Sequence, residues 1–330
     1  MPLGAPRRPN WFAIAHQGRR TAPPARCPGD PAPVDVPGWP LIFRGSAAVR
    51  AGLVTARRLQ GPAFVRVLPD TWAARHLVPL GHADRCRAVS RWSGGRGVIA
   101  GWAAAELSGA PCAPAGAPAG APVEVLLPVR ARAPAGVRVR RDRLHPGEIE
   151  WRDGIRVTTP LRTAFDLARG EDETDAVVAV DALAFRHGFS PDLLLHFAVR
   201  YRGLRGVSRV PGVLGLADRR AASPPETRLR LLLVRAGLPR PQAQHPVRDD
   251  VRRRAVWLDL AYPAARVGIE YEGADHTGPD RVLRDAARVT RLVDAGWRIY
   301  RYTRFDLRDE PGRIVAEIGR ALDHAPSGTS

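Results

Sequence analysis

The sequence predicts a mixed α/β (α+β) protein, and three observations carry that expectation. Apolar residues recur at helical spacing in stretches such as SPPETRLRLLLVRAGLP (223–239) and EPGRIVAEIGRALDHA (310–325). Short apolar or alternating runs lie between them, among them VWLDLAY (256–262), RVGIEYEG (266–273) and WRIYRYT (297–303), which read as strands. Near the C-terminus the order is helix, strand, strand, helix, strand, helix, which builds a central sheet flanked by helices.

The 330 residues suffice for two or three domains with their own cores. Hydrophobic content of 45% and charged content of 25% are those of a globular chain. All 51 basic residues are arginine, and the formal net charge is +18. Such a charge attracts polyanions, so double-stranded DNA is the first partner expected. No run of 18 apolar residues exists, so no membrane partner is expected, and WFAIA (11–15) is too short for a signal-peptide core. Cys27, Cys86 and Cys112 show no CxxC spacing, so neither a disulfide framework nor a zinc site is indicated. The chain reads as cytoplasmic.

Residues 1–37 are rich in Pro, Arg and Ala without period and read as a disordered tail, and 325–330 as a second, short one. Residues 38–125 read as a winged-helix-like and helical region. Ser46 can cap a short helix through Leu53, Thr55 can cap a second over 56–61, and AFVRVLPDTWA alternates as a strand pair around Pro69–Asp70. HADRCRAVSRW (82–92) and IAGWAAAELSG (99–109) then read as helices. Residues 126–220 form a mixed middle region. The strand GVRVRRDRL (136–144) belongs to it, and VEVLLPV (123–129) straddles its start. GIRVTTPLRTAFDLAR follows as strand, cap and helix, with Thr159 at the N-cap and Pro160 first in the helix. ETDAVVAVDALAFRHG and SPDLLLHFAVRYRG complete the region as helices, and RRAAS (219–223) marks the boundary before the domain over 221–324.

In that domain acidic residues interrupt apolar strands. Glu270 and Glu272 lie two apart and share a strand face. A tight hairpin pairing Tyr262 with Val267 sets Asp259 opposite Glu270, where like charges repel. Such a cluster demands a cation, a shared proton or a ring of arginines, and hard oxygen donors at this density suit Mg²⁺ or Mn²⁺. A plainer alternative is that Asp259 and Glu270 pair with arginines of the neighbouring helix. Beyond the strand, His276 can orient or deprotonate a water, or sit as a surface residue. Arg284, Arg288 and Arg291 recur at helical spacing and can hold a phosphodiester. Glu226 fits the S-x-x-E capping box by bonding back to the Ser223 amide, and it can equally lean over the sheet to join the acids.

The stretch ETRLRLLLVRAGLP…LDLAYPAARVGIEYEGADH…RDAARVTRLVDAGWRIYRYT resembles the domain of very-short-patch-repair (Vsr)-like endonucleases, of the PD-(D/E)xK superfamily, over roughly 223–323. The resemblance implies a restriction-endonuclease-like mixed sheet and a metal-dependent site. Asp259, Glu270 and Glu272 are implied as its metal ligands, with Glu226 and His276 beside them as catalytic residues. The superfamily lysine has no counterpart, and Glu272 occupies its place. FRGSAAVRAGLVTARRLQGPAFVRVLPDTWA and GIRVTTPLRTAFDLA are similar to actinobacterial proteins with an AbiEi-antitoxin-type winged helix. That implies DNA binding through helix 55–60, with Arg57 and Arg58 facing phosphate.

Three functions follow as expectations. The first is a DNA-binding protein with a Mg²⁺-dependent endonuclease domain, acting with a restriction or repair partner. The second is a non-catalytic, antitoxin-like regulator with a degenerate nuclease fold and a toxin partner. The third, an RNA-processing protein, lacks an aromatic-rich base-stacking strand.

Overall fold

The computed structural model describes residues 41–114, 116–118, 120–249, 254–273 and 288–324. The two predicted tails, together with His276 and Arg284, lie outside the described residues. Helices and three separate sheets alternate along the chain, so the mixed α and β content expected from the sequence is observed.

The first sheet has three antiparallel strands in the order β1-β3-β2, where β1 is Ile42–Arg44, β2 Phe64–Leu68 and β3 Thr71–Ala74. Helices α1 (Gly45–Arg50) and α2 (Ala56–Leu59) precede the β2–β3 hairpin. Thr55 caps α2 as expected, its hydroxyl accepting the Arg58 amide at 3.2 Å. Ser46 does not cap α1, which ends at Arg50 rather than Leu53. Its amide and hydroxyl instead donate to the Asp70 carboxylate, at 2.7 and 2.6 Å. Asp70 sits at the hairpin turn with φ 53°, and Arg44 pairs with it at 2.9 Å. Phe43 and Phe64 meet edge to face over Ala48, Val54 and Leu59 and form the core of this unit.

The second sheet runs β6-β5-β4-β8-β7, from β4 (Val98–Ile99), β5 (Val123–Leu126), β6 (Val137–Arg140), β7 (Ile149–Arg152) and β8 (Ile155–Thr158). It draws β4 from the 38–125 stretch and β6 to β8 from 126–220, so these stretches share a core. Around it lie α3 (His82–Trp92), α4 (Gly101–Leu107), α5 (Pro160–Ala168), α6 (Glu173–His187), α7 (Leu194–Arg200) and α8 (Val210–Leu216). The helix expected over 99–109 gives up Ile99 to β4. Thr159 caps α5 and Pro160 opens it, as the sequence indicates.

Sheet and helices of this region are joined by a buried arginine. The Arg162 side chain is 0% exposed and reaches Asp142 at 2.9 Å, Glu148 at 2.7 Å and Asp166 at 3.1 Å. The Tyr201 ring lies 4.7 Å from its guanidinium and the Tyr201 hydroxyl donates to Glu148. A fully desolvated cation is tolerated because carboxylates and carbonyls surround it.

The third sheet has the order β12-β11-β10-β9, with β9 Gln242–Asp249, β10 Arg254–Tyr262, β11 Val267–Glu272 and β12 Arg298–Thr303. Helix α9 (Pro224–Arg235) precedes it, α10 occupies residues 288–294 as described, and α11 (Arg304–Asp309) and α12 (Pro311–Asp323) follow. Leu229, Leu233, Leu260, Val267, Ile269 and Ile314 fill one face of the sheet, and Leu258, Leu292 and Trp297 the other. The element order thus adds an edge strand, β9, to the expected sequence, and Pro246 is tolerated in it because an edge strand leaves one side unpaired.

Candidate active site

The expected hairpin register holds: Tyr262 pairs with Val267, Ala261 with Gly268 and Leu260 with Ile269. The next position brings Asp259 opposite Glu270, and there the β10–β11 ladder stops. Asp259 Oδ2 accepts the Tyr271 amide at 2.9 Å in place of a backbone pair. From this point β10 continues along β9 alone and β11 along β12 alone. The sheet forks at two carboxylates.

The strand registers extend the fork into a polar row. Gln244 stands on β9 between the paired residues Ala243 and His245, which places it across from Asp259. Arg301 stands across from Glu270 on β12. Over the fork, the first turn of α9 presents Glu226. Ser223 begins that helix by accepting the Glu226 amide at 3.4 Å. The return bond differs from the expected capping box: Glu226 Oε2 accepts the Ala222 amide at 3.1 Å, and Oε1 accepts the Ser223 hydroxyl at 2.8 Å. Glu226 Oε2 also accepts Gln244 Nε2 at 2.9 Å. The capping role and the lean toward the acids therefore coexist in one side chain.

Burial dominates the electrostatics. It pushes the Glu226 carboxyl up to about 8, with the Asp259 charge adding to the shift and the bonds from Ser223, Gln244 and Ala222 opposing it. Burial also raises Asp259, against the pull of the Tyr271 amide and the Arg288 charge. Glu270, 4% exposed, is raised by burial and held back by Arg288. Arg288 Nη2 pairs with Glu270 Oε1 at 2.8 Å. Arg301 Nε stands 3.5 Å from Glu270, and its Nη1 donates to the more exposed Glu272 at 2.8 Å.

The structure thus brings Asp259, Glu270 and Glu226 to one fork, while Glu272 sits at its rim, paired with Arg301. The alternative that arginines of the next helix pair with the acids is realised at Glu270 by Arg288. Arg291, one turn further along α10, is half-buried. Arg57 and Arg58 are exposed on α2, far from this site in sequence and on another sheet's helix. Sequence reasoning missed Gln244 and Arg301. Strand alternation in WRIYRYT offered a signal for Arg301, since a strand parallel to β11 carries it to Glu270. Among the described residues no three His, Cys, Asp or Glu side chains are grouped closely enough to hold a metal ion as they stand. Among them, too, no helix is long and apolar enough to cross a membrane.

No family model matches the chain, and no solved structure matches it. Two proteins described as uncharacterised, from Mycobacterium tuberculosis strains CDC 1551 / Oshkosh and ATCC 25618 / H37Rv, are each 34% identical over 174 residues. That alignment covers 52% of this chain and spans 64% of the length of each relative.

Proposed function

We propose that the chain is a DNA-binding protein whose C-terminal domain hydrolyses phosphodiester bonds with Mg²⁺ or Mn²⁺ at the fork of the third sheet. The Glu226–Asp259 pair carries this reading. These are two buried carboxylates close enough for one to push the other up, and among the described residues no ion pair neutralises Glu226. Buried like charges either share a proton or receive a cation. The donor set suits a hard divalent ion, which takes one or two carboxylates and leaves room for substrate phosphate. Glu270 adds a third buried carboxylate on the other side of Asp259, paired with Arg288 at 2.8 Å.

In this reading Asp259 and Glu270 hold the ion, with Glu226 reaching in from α9 and Glu272 assisting from the rim. Such an ion, when bound, polarises the phosphoryl group and lowers the pKa of a bound water. The chain supplies the remainder. The apolar faces around Leu258, Leu260 and Ile269 exclude bulk water, and Arg288 and Arg301 are positioned to take phosphate oxygens when they leave Glu270. His276 keeps its expected part of orienting the attacking water, on the strength of the Vsr-like resemblance. Arg57 and Arg58 on α2, and a net charge of +18, support contact with the DNA backbone.

One observation favours a second reading, the non-catalytic regulator with a toxin partner. Arg288 and Arg301 already neutralise Glu270 and Glu272. Nicking of supercoiled plasmid separates the two. With Mg²⁺ or Mn²⁺ the wild-type protein nicks the plasmid and Asp259→Ala does not. Absence of metal-dependent cleavage on plasmid, mismatched or methylated DNA favours the regulator, and equal cleavage by both proteins assigns the signal to a contaminant.

A further inference from the structure

We propose that the β6 edge of the second sheet is a further DNA-contacting surface, whose exposed arginines take the phosphate backbone of a duplex. It lies beyond Arg57 and Arg58 of α2, and it rests on the DNA-binding half of the reading above, not on the metal. The stretch 130–143 holds six arginines and a single acid, Asp142. Arg140 turns to Glu124 at 2.9 Å and to Asp166 at 3.2 Å. The Asp142 side chain is 4% exposed and pairs with Arg162 and Arg169. The acid of the stretch is thus spent inside the protein. Arg130, Arg132, Arg138, Arg141 and Arg143 remain exposed, and among the described residues their side chains have no ion-pair partner. Other exposed arginines do find acids: Arg205 pairs with Glu171, Arg308 with Asp309 and Arg313 with Glu317. Five unpaired cations in one stretch repel one another and attract a polyanion.

The topology gathers these residues at one corner. β6 is an outer strand of its sheet and runs parallel to β5. Leu126 pairs with Arg140, and the Leu127 amide donates to the Arg140 carbonyl at 3.0 Å, so both strands leave the sheet together. Arg130 follows one exit, and Arg141 and Arg143 follow the other. The corner is held from within, because buried Arg162 donates to the Arg143 carbonyl at 2.9 Å and pairs with Asp142 at 2.9 Å. Charges on an edge strand also discourage pairing with another sheet, which accounts for Arg138. That role does not account for Arg130, Arg132, Arg141 and Arg143, which lie outside the paired residues 137–140. Guanidinium groups take phosphate oxygens bidentately. Residues 128–147 contain no Phe, Tyr or Trp, so the surface suits a duplex backbone rather than the stacked bases of a single strand.

The test is binding of a short labelled DNA duplex, followed by fluorescence anisotropy in EDTA at salt concentrations from about 50 to 200 mM. Each phosphate contact adds about 0.9 to the slope of log affinity against log salt. The variant Arg138→Gln/Arg141→Gln/Arg143→Gln should lower that slope by about 2.7, so across this range its affinity should fall about 40-fold less than that of wild type. The control Arg205→Gln/Arg308→Gln/Arg313→Gln removes the same charge from arginines already paired with acids, and should keep the wild-type slope. An equal drop in both variants overturns the surface, since net charge alone then explains it. If Arg57→Gln/Arg58→Gln lowers the slope and the edge variant does not, the surface is overturned and the DNA-binding reading stands. If wild type binds no duplex DNA even at about 50 mM salt, both fall. Tighter binding of wild type to duplex RNA of the same length overturns DNA as the partner. Should the edge variant fail to fold, Arg141→Gln and Arg143→Gln decide singly: each should lower the slope by about 0.9, and unchanged slopes refute the proposal.

Discussion

Arg230→Ala should be among the most damaging single substitutions outside the acidic fork. Arg230 is 0% exposed on α9, and its Nη2 donates to Asp181 of α6 at 2.7 Å. Asp181 is equally buried and also accepts the Asp218 amide at 2.7 Å and the Thr227 hydroxyl at 2.9 Å. Removing the guanidinium leaves a carboxylate with two neutral donors and, among the described residues, no ion-pair partner, a loss of roughly 3–5 kcal/mol for a buried pair. At about 2–4 °C per kcal/mol, the thermal midpoint near pH 7.5 should fall by roughly 10 °C. The loss has a definite pH dependence. Burial already lifts the Asp181 carboxyl from 3.8 to about 6, so the native state binds that proton more tightly than the unfolded chain. The proton's contribution, on the order of 3 kcal/mol, is fully present below pH about 4 and disappears as the pH rises through about 6. Without Arg230 the carboxyl rises further and is protonated at pH 5, so the damage should be clearly smaller at pH 5 than at pH 7.5. Differential scanning fluorimetry of both proteins at the two pH values checks this. A midpoint within about 2 °C of wild type at pH 7.5, or a pH-independent loss, would show that Arg230 does not hold the Asp181 charge in the fold.

Glu226→Gln should flatten the metal-free stability profile. The native pKa of about 8 exceeds the ordinary 4.5, so the wild-type carboxyl stabilises the fold below pH about 4.5 and loses that contribution as the pH rises through 8. In EDTA the variant should therefore lose less of its midpoint than wild type between pH 5 and pH 9, and parallel profiles would count against a buried, raised Glu226. At the first hairpin, Asp70→Ala should cost about 1–2 kcal/mol through the lost Ser46 and Arg44 bonds. Asp70→Gly removes the same bonds but suits a φ of 53°, and should cost about 1 kcal/mol less by urea unfolding.

Much of the C-terminal sheet was legible because period-2 strands and a short turn leave little freedom of register. Tyr262 opposite Val267 follows from the PAA turn, and Asp259 opposite Glu270 follows from that pair. The fork itself was not legible. It depends on Asp259 taking the Tyr271 amide, a choice made by a side chain after the strands have met. Strand β9 was hidden because QAQHPVRD has neither apolar alternation nor β-branched enrichment, and its edge position relaxes both requirements. With β9 unseen, Gln244 had no route into the site. The buried charge clusters were equally silent, since Arg162 and Asp166 sit at helical spacing that an exposed ion pair shares. Their burial is set by Asp142, Glu148 and Tyr201, which come from distant parts of the chain. The Ser46 cap failed for a similar reason: Asp70, brought close by the hairpin, competes for the same hydroxyl.

The proposed hydrolytic function requires that the carboxylates at the fork hold a divalent metal. Its most direct test is an anomalous difference map from crystals of the wild-type protein soaked in Mn²⁺. The expected result is a peak among the carboxylates of Glu226, Asp259 and Glu270, with Arg288 withdrawn from Glu270. A map without a peak there at saturating Mn²⁺, and Arg288 still paired with Glu270, would contradict it.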